Sequence, residues 1–370
     1  MELSSHLPVP ADRQLDFEAV PDAAGVFLLR FAQGRPYLGR TGFLRRRLKR
    51  MLRPRAEGSR LANLAAAVEE ISYQPTGSPF ESSLVLYELA RRHMPEDYRR
   101  YLKLRVPPFV KAYLGNRFPR TYITTQLTRS RALFFGPFLN RATAERFESA
   151  FLDLFKIRRC QEDLEPHPEH PGCIYGEMDM CLRPCQVQCS DAEYQAEVGR
   201  VIEFLETEGQ SLVRQVEQAR EEASAALEFE EAARLHKRLE KIGETLKLKD
   251  ELARDLDALF AVVVQKSLEA ESVDLWFVNQ GFLQPKVAFC YGIEDGRSIS
   301  LDRRLREALG ELKFSTGTTQ ERSDHLAMLR RWYYSSWREG EIVMVDGLDR
   351  IPYRKLVNAV SRVAAGRARV

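Results

Sequence analysis

Tyr37, Arg40 and Arg47 follow one another at intervals of three and seven residues within GVFLLRFAQGRPYLGRTGFLRRRLKRM, residues 25–51. A phenol and two guanidiniums can activate a nucleophile and neutralise a scissile phosphate. Phosphodiester hydrolysis usually completes such a set with a divalent metal, Mg or Mn, held by a carboxylate. Between Ala23 and Ala56 there is no carboxylate, while ten arginines and lysines run from Arg30 to Arg55. Arg45, Arg46, Lys49 and Arg50 carry that charge past the three candidate catalytic residues. The stretch reads two ways, as a DNA-holding phosphate surface or as the solvated face of an ordinary helix.

The second chemically capable group is sulfur. Cys160, Cys173, Cys181 and Cys185 are spaced C-x12-C-x7-C-x3-C on a segment with four prolines and no apolar periodicity. Such a segment has little core of its own, and thiolate bonding to a soft metal offsets the cost of ordering it. An iron-sulfur cluster or zinc would satisfy the set, with reduced thiols lacking any metal as the bland reading. Cys189 is then spare, His167 or His170 could replace a thiolate on zinc, and Cys290 lies in an apolar run that reads as core.

The elements that must position these groups follow from period and punctuation. Residues 25–33 and 36–41 read as a hairpin turning at QGRP, and Leu44, Leu48, Met51 and Leu52 form the apolar stripe of a helix stopped by Pro54. A helix is expected at 60–69, a strand at 70–75 and a helix at 80–93 ended by Pro95. Residues 107–125 and RALFFGPFL read as a strand pair, followed by a helix at 140–156. Beyond Asp191 the spacing of Val198, Val201, Leu205, Leu212, Val216, Leu235, Leu239 and Ile242 is helical, with a break near Leu227–Phe229 that folds the chain into a hairpin. Strands at 258–266, 272–279 and 283–291 and helices at 301–312, 321–338 and 352–365 complete a C-terminal α/β unit. The expected fold is α+β and multidomain: 20–100 a small antiparallel sheet with flanking helices, 101–190 a strand pair and Cys-rich metal loop, 191–253 the helical hairpin, and 254–370 the C-terminal unit.

Bulk properties set the limits. The 370 residues exceed one ordinary core, and 44% hydrophobic with 29% charged residues is a globular composition. No apolar run approaches the ~18 residues of a membrane span. The first twenty residues lack a basic start followed by an apolar stretch, so a cytoplasmic protein without a membrane partner is expected. A formal charge of +3 implies no polyanion partner for the chain as a whole, so any such contact must come from the local run.

Gly25-Val26-Phe27, Tyr37-Leu38-Gly39, Arg40 and Arg47 together resemble the GIY-YIG nuclease unit of the UvrC/Cho family, the incision proteins of bacterial nucleotide excision repair. The resemblance implies Tyr37, Arg40 and Arg47 as catalytic residues, with departures: Phe27 replaces the family's first Tyr, Arg40 its Lys, and Met51 a further Tyr. In SPFESSLVLYELARRHMPEDY two registers stand open for the metal-binding Glu. Aligning Glu81 and Pro95 puts Leu86 at the ligand position, whereas aligning SLVLYE makes Glu88 the candidate. The family's Asn falls on Tyr98 or Arg99.

The four cysteines resemble those that hold the family's iron-sulfur cluster. Leu227, Phe229, Glu230, Ala232, Ala233 and Leu235 resemble the UVR motif that meets UvrB, which implies Phe229 as an anchor with Glu230 beside it. The resemblance runs in order from about residue 20 to 250. DLDALFAVVV and QGFLQPKVAFC are similar to the segment leading to the family's RNase H-like nuclease, and no stretch here resembles that nuclease itself. Two functions are implied: a Cho-like endonuclease making one metal-dependent incision with UvrB, or a catalytically impaired adaptor that binds DNA and UvrB.

Overall fold

The computed structural model describes residues 3–53, 63–128, 131–292, 300–310, 312–347 and 350–367. Arg55 and the first residues of the helix expected from position 60 lie outside them. The fold is α+β, with three small antiparallel sheets and helices packed on them. No helix among the described residues is long and apolar enough to cross a membrane.

The first sheet holds β1 (Ser5–Leu7), β2 (Gly25–Phe31), β3 (Tyr37–Thr41) and β4 (Val68–Pro75), in the order β1-β4-β2-β3. β2 is central, and Val26, Phe27, Leu28 and Leu29 are all buried, so both faces are covered. Two motif glycines are there for closeness. A Cβ on Gly25 would stand 2.4 Å from the Gln74 carbonyl and 2.5 Å from Leu44, and one on Gly39 would stand 2.6 Å from the Phe27 ring.

Helix α1 (Leu44–Met51) buries Leu44 and Leu48 as the spacing requires and turns its cations outward. A short α2 (Leu64–Ala67) runs into β4. α3 (Pro79–His93) starts where the Ser78 side chain accepts from the Glu81 N–H and Pro79 occupies the first turn. α4 (Tyr98–Tyr101) follows it.

The middle region has β5 (Phe109–Tyr113), β6 (Thr121–Thr124) and β7 (Ala132–Gly136), three strands where a pair is expected. β8 (Arg254–Asp255) returns from far along the chain to the edge of this sheet, giving the order β6-β5-β7-β8. α5 (Arg141–Leu152), the Cys-rich segment with its one-turn α6 (Ile174–Glu177), α7 (Asp191–Glu206), α8 (Gln210–Ala225) and α9 (Phe229–Leu246) gather on a phenylalanine-rich core. α8 and α9 form the expected hairpin, with Leu227 at a positive φ of 60° between them.

In the C-terminal unit β9 (Phe260–Lys266), β10 (Ser272–Asn279), β11 (Phe282–Leu283), β12 (Val287–Cys290) and β13 (Glu341–Val345) make a five-stranded sheet. The single strand expected at 283–291 is split at Pro285, which has no N–H for the ladder. β13 is not anticipated by the sequence reading. α10 (Leu301–Gly310) and α12 (Tyr353–Ala364) cover one face, and α11 (Thr319–Tyr333) covers the other.

The unit beginning near residue 254 is not separate. Phe80 and Tyr87 of α3, Phe109 and Phe134 of the middle sheet, and Trp276, Leu326 and Trp332 of the C-terminal unit share one core. α3 is therefore held on two sides: Val85, Leu89 and Ala90 pack on Val26, Leu28 and Leu38, while Phe80 and Tyr87 pack toward α11.

Candidate nucleic-acid interface

The register of β2 and β3 pairs Phe27 with Gly39 and places Tyr37 opposite Leu29. Tyr37 is exposed and its ring stacks on buried Phe27, with centroids 6.0 Å apart and planes at 27°. Where the resemblance implies two hydroxyls, Phe27 supplies only an apolar support for the one that remains. Arg40 donates to Ser83 Oγ at 2.7 Å and to the Pro79 carbonyl at 3.3 Å, both near the start of α3, and its guanidinium lies 5.6 Å from the Trp337 ring. Loss of hydration at this spot draws its pKa down.

The structure separates the two registers open on α3. Leu86 lines a cavity of about 290 Å³ together with Leu38, Arg40, Ser83 and Tyr101. Glu88 follows two residues later, roughly 200° further round the helix, and stands 4.0 Å from Arg91. Burial raises its pKa, Arg91 opposes that rise, and Glu321 of α11 adds to it. Helical geometry thus turns Glu88 toward Glu321 of α11, whereas Leu86 lines the Arg40 cavity. Glu81 is no substitute. It is buried, accepts from the Gly77 N–H at 2.7 Å and pairs with Lys286 Nζ at 2.7 Å. Neither carboxylate is among the residues lining the Arg40 cavity.

The basic helix is less free than its composition suggests. Arg45 donates to the Val20 carbonyl at 2.6 Å and the Glu18 carbonyl at 3.1 Å, and pairs with the Glu18 carboxylate at 3.4 Å. Arg46 pairs with Asp22 at 2.6 Å and lies 4.4 Å from the Phe43 ring. The acid-free run is neutralised in part by the loop just before β2. Arg47 is half-buried, and Lys49 and Arg50 are exposed with no ion pair among the described residues.

In the Cys-rich segment, Cys181 and Cys185 are buried and Cys160 and Cys173 half-buried. Burial pushes the Cys181 thiol up to about 11, and Cys160, Cys173 and Cys185 add to the rise, so the four sulfurs lie within electrostatic reach of one another. Arg158 Nη1 is 3.6 Å from Cys160 Sγ, and the Arg183 N–H is 3.4 Å from Cys181 Sγ. Among the described residues no three Cys, His, Asp or Glu side chains stand close enough to form a ready group for one ion. At the other end of the region, Leu227 and Phe229 at the hairpin tip are 70% and 68% exposed, and Glu230 beside them is exposed as well.

Trp337, Arg331 and Tyr101 belong to the same face and have no counterpart in the sequence reading. Tyr101 donates to the Leu38 carbonyl, and its pKa is raised by burial first and by Tyr37 second. The only signal in the sequence was the aromatic run RRWYYSSW, which carries no spacing that points to β3.

Residues 108–204 match the UvrC/Cho excinuclease middle domain, and residues 210–245 match the UvrB/uvrC motif. The first match takes in β5 to α7 and all four clustered cysteines, the second the α8–α9 hairpin. UvrABC system protein C of Dehalococcoides mccartyi is 27% identical over 359 residues, 95% of this chain and 58% of that protein. The proteins of the same name from Moorella thermoacetica and Methanothermobacter thermautotrophicus are 31% and 29% identical, over 65% and 67% of this chain and 40% and 42% of theirs. The chain thus spans 58% or less of the length of these relatives. No solved structure matches it significantly.

Proposed function

Since its middle domain and helical motif make this chain a member of the UvrC/Cho family, we propose that it acts in nucleotide excision repair by holding damaged DNA and UvrB, with a GIY-YIG-like unit that binds a phosphodiester without cutting it. The observation that carries the reading is Leu86, an alkyl side chain on the face of α3 that lines the Arg40 cavity. A Mg or Mn ion needs carboxylate or other oxygen donors there, and the residues present do not fit one. Phe27 lacks the hydroxyl that the resemblance implies for its position, and Arg40 is a fixed cation that does not release a proton.

One experiment tests the reading. With UvrA, UvrB, Mg or Mn and a lesion-bearing duplex, incision product stays at the level of a reaction lacking the chain. The chain is nevertheless retained by immobilised UvrB, and Phe229→Ala weakens that retention at least about tenfold, as for an aromatic anchor. Metal-dependent product that disappears in Arg40→Ala would establish the single-incision activity instead.

DNA is held by the free cations of α1. Lys49→Ser with Arg50→Ser lowers the slope of log affinity against log salt by about 2, near 0.9 per lost phosphate contact. Arg45→Ser and Arg46→Ser change it little, because those side chains are spent on Glu18 and Asp22. Fluorescence anisotropy over a salt series reads the difference, and an unchanged slope in the double variant removes α1 from the interface.

The cysteines suit an iron-sulfur cluster. A single zinc with ~2.3 Å bonds needs thiolates ~3.8 Å apart, whereas a cluster spreads them more widely. Four thiols on one segment, with Cys160, Cys173 and Cys185 all within electrostatic reach of Cys181, supply the soft donors such a cluster takes. When bound, the cluster supplies structural cross-linking and a redox-active centre. Anaerobically purified protein is expected to contain iron and sulfide, and stoichiometric zinc without iron would overturn the assignment. Function in the cytoplasm follows from the same repair reading.

A further inference from the structure

We propose that the cavity between β3, α3 and α11 takes one unpaired nucleotide of a DNA strand, its phosphate on Arg40 and Arg331 and its base against Trp337 and Tyr101. This rests on the reading that the face holds DNA, and it adds what the face recognises. The cavity, at about 290 Å³, is near the ~300 Å³ lower end of small-molecule sites. No carboxylate is among its described lining residues, and neither arginine has an ion pair among the described residues. Burial lowers the pKa of Arg331, and Arg40 is the foremost charge adding to that effect. Two guanidiniums that repel each other in a partly dehydrated place are stabilised by an anion between them.

Both cations are held in position. Arg331 donates through Nη1 and Nη2 to the Leu102 carbonyl at 3.1 Å, and through Nη2 also to that of Lys103. Arg40 is fixed by Ser83 and Pro79 through Nη1, which leaves its Nε and Nη2 hydrogens unspent among the described residues. The two rings are exposed, Trp337 by 42% and Tyr101 by 39%, although both line the cavity. Exposed rings beside paired cations are the means by which proteins hold unpaired bases, since every base has a π face to stack.

A second cavity of about 380 Å³ shares Arg40 and Trp337 as its wall and continues past Thr41 to Gly42. Gly42 lies two residues before α1, so a strand leaving the first cavity is directed toward the free cations of that helix. This continuity distinguishes a nucleotide within a strand from a free one.

The test uses the full chain and two labelled duplexes that differ only in one unpaired 2-aminopurine. The wild type is expected to bind the bulged duplex about tenfold more tightly, the scale of one base–aromatic stack, and to quench the 2-aminopurine emission. Trp337→Ala and Arg331→Ser bring the affinity ratio to about one, whereas Trp337→Phe keeps it, which separates loss of the ring from loss of the fold. Equal affinity for the two duplexes in the wild type overturns the pocket while leaving DNA binding standing. A ratio unchanged in both Trp337→Ala and Arg331→Ser does the same. Binding to neither duplex removes the DNA reading and the pocket together.

Discussion

Asp324→Ala is expected to destabilise the protein by about 3 kcal/mol, the scale of breaking a buried charged network. Asp324 has no exposed side-chain surface. Its Oδ2 accepts from Tyr98 at 2.6 Å and Tyr87 at 3.4 Å, and its Oδ1 accepts from Gln320 at 3.0 Å. Arg99 Nε lies 3.0 Å from Oδ1 but without hydrogen-bond geometry, so the pair is one of charge. Truncation leaves two tyrosine hydroxyls and a guanidinium around an empty acceptor at the junction of α3 with α11. Asp324→Asn keeps a carbonyl acceptor and is expected to lose about half as much. Urea unfolding of the three proteins checks this, and equal midpoints for wild type and Asp324→Ala would show that the junction contributes nothing.

Acid is expected to weaken the same junction through His325. Its ring is packed between Tyr87 at 5.6 Å and Phe282 at 6.3 Å, and its Nδ1 accepts from the Leu283 N–H at 3.0 Å. Burial pulls its pKa down to about 4 from an ordinary 6.5. Between those values the unfolded chain takes up a proton that the folded chain refuses, so stability falls as pH drops through this window. By pH 4 the loss reaches about 3 kcal/mol. Above pH 6.5 both states are neutral and the contribution is flat. His325→Gln, which preserves an acceptor for Leu283, should flatten the dependence between pH 6.5 and 4.5 by one proton. Parallel curves for wild type and variant would contradict the assignment.

Local signals carried much of the fold. The β2–β3 hairpin and α1 were legible because Leu44, Leu48 and Leu52 keep helical spacing beside a Gly-Arg-Pro turn. The α8–α9 hairpin was legible for the same reason. β13 was not, since EIVMV has no alternation to set it apart from a buried helix segment. β8 was not, because two residues acquire a strand partner only once Phe135 and Gly136 are beside them.

Candidate site residues could be named from the sequence, but not their relations. Leu86 and Glu88 stand two positions apart, and only the packing of α3 decides which of them looks at Arg40. Arg45 and Arg46 read as free because the run around them is acid-free, while Glu18 and Asp22 lie more than twenty positions upstream. Trp337 and Arg331 reach the site from the other end of the chain, and no local pattern marks such a meeting.

The core shared by α3 and α11 also bears on synthesis. Phe80 packs on Trp276 at 5.3 Å and on Trp332 at 5.1 Å between ring centroids. Trp332 follows Phe80 by 252 residues (332 minus 80), so at ~5–20 residues per second the ribosome delivers it roughly 13–50 s later. During that interval Phe80 and Tyr87 of the newly made N-terminal unit lack their packing partners on α11. The side of α3 that meets α11 is therefore completed only after the side that meets β2 and β3.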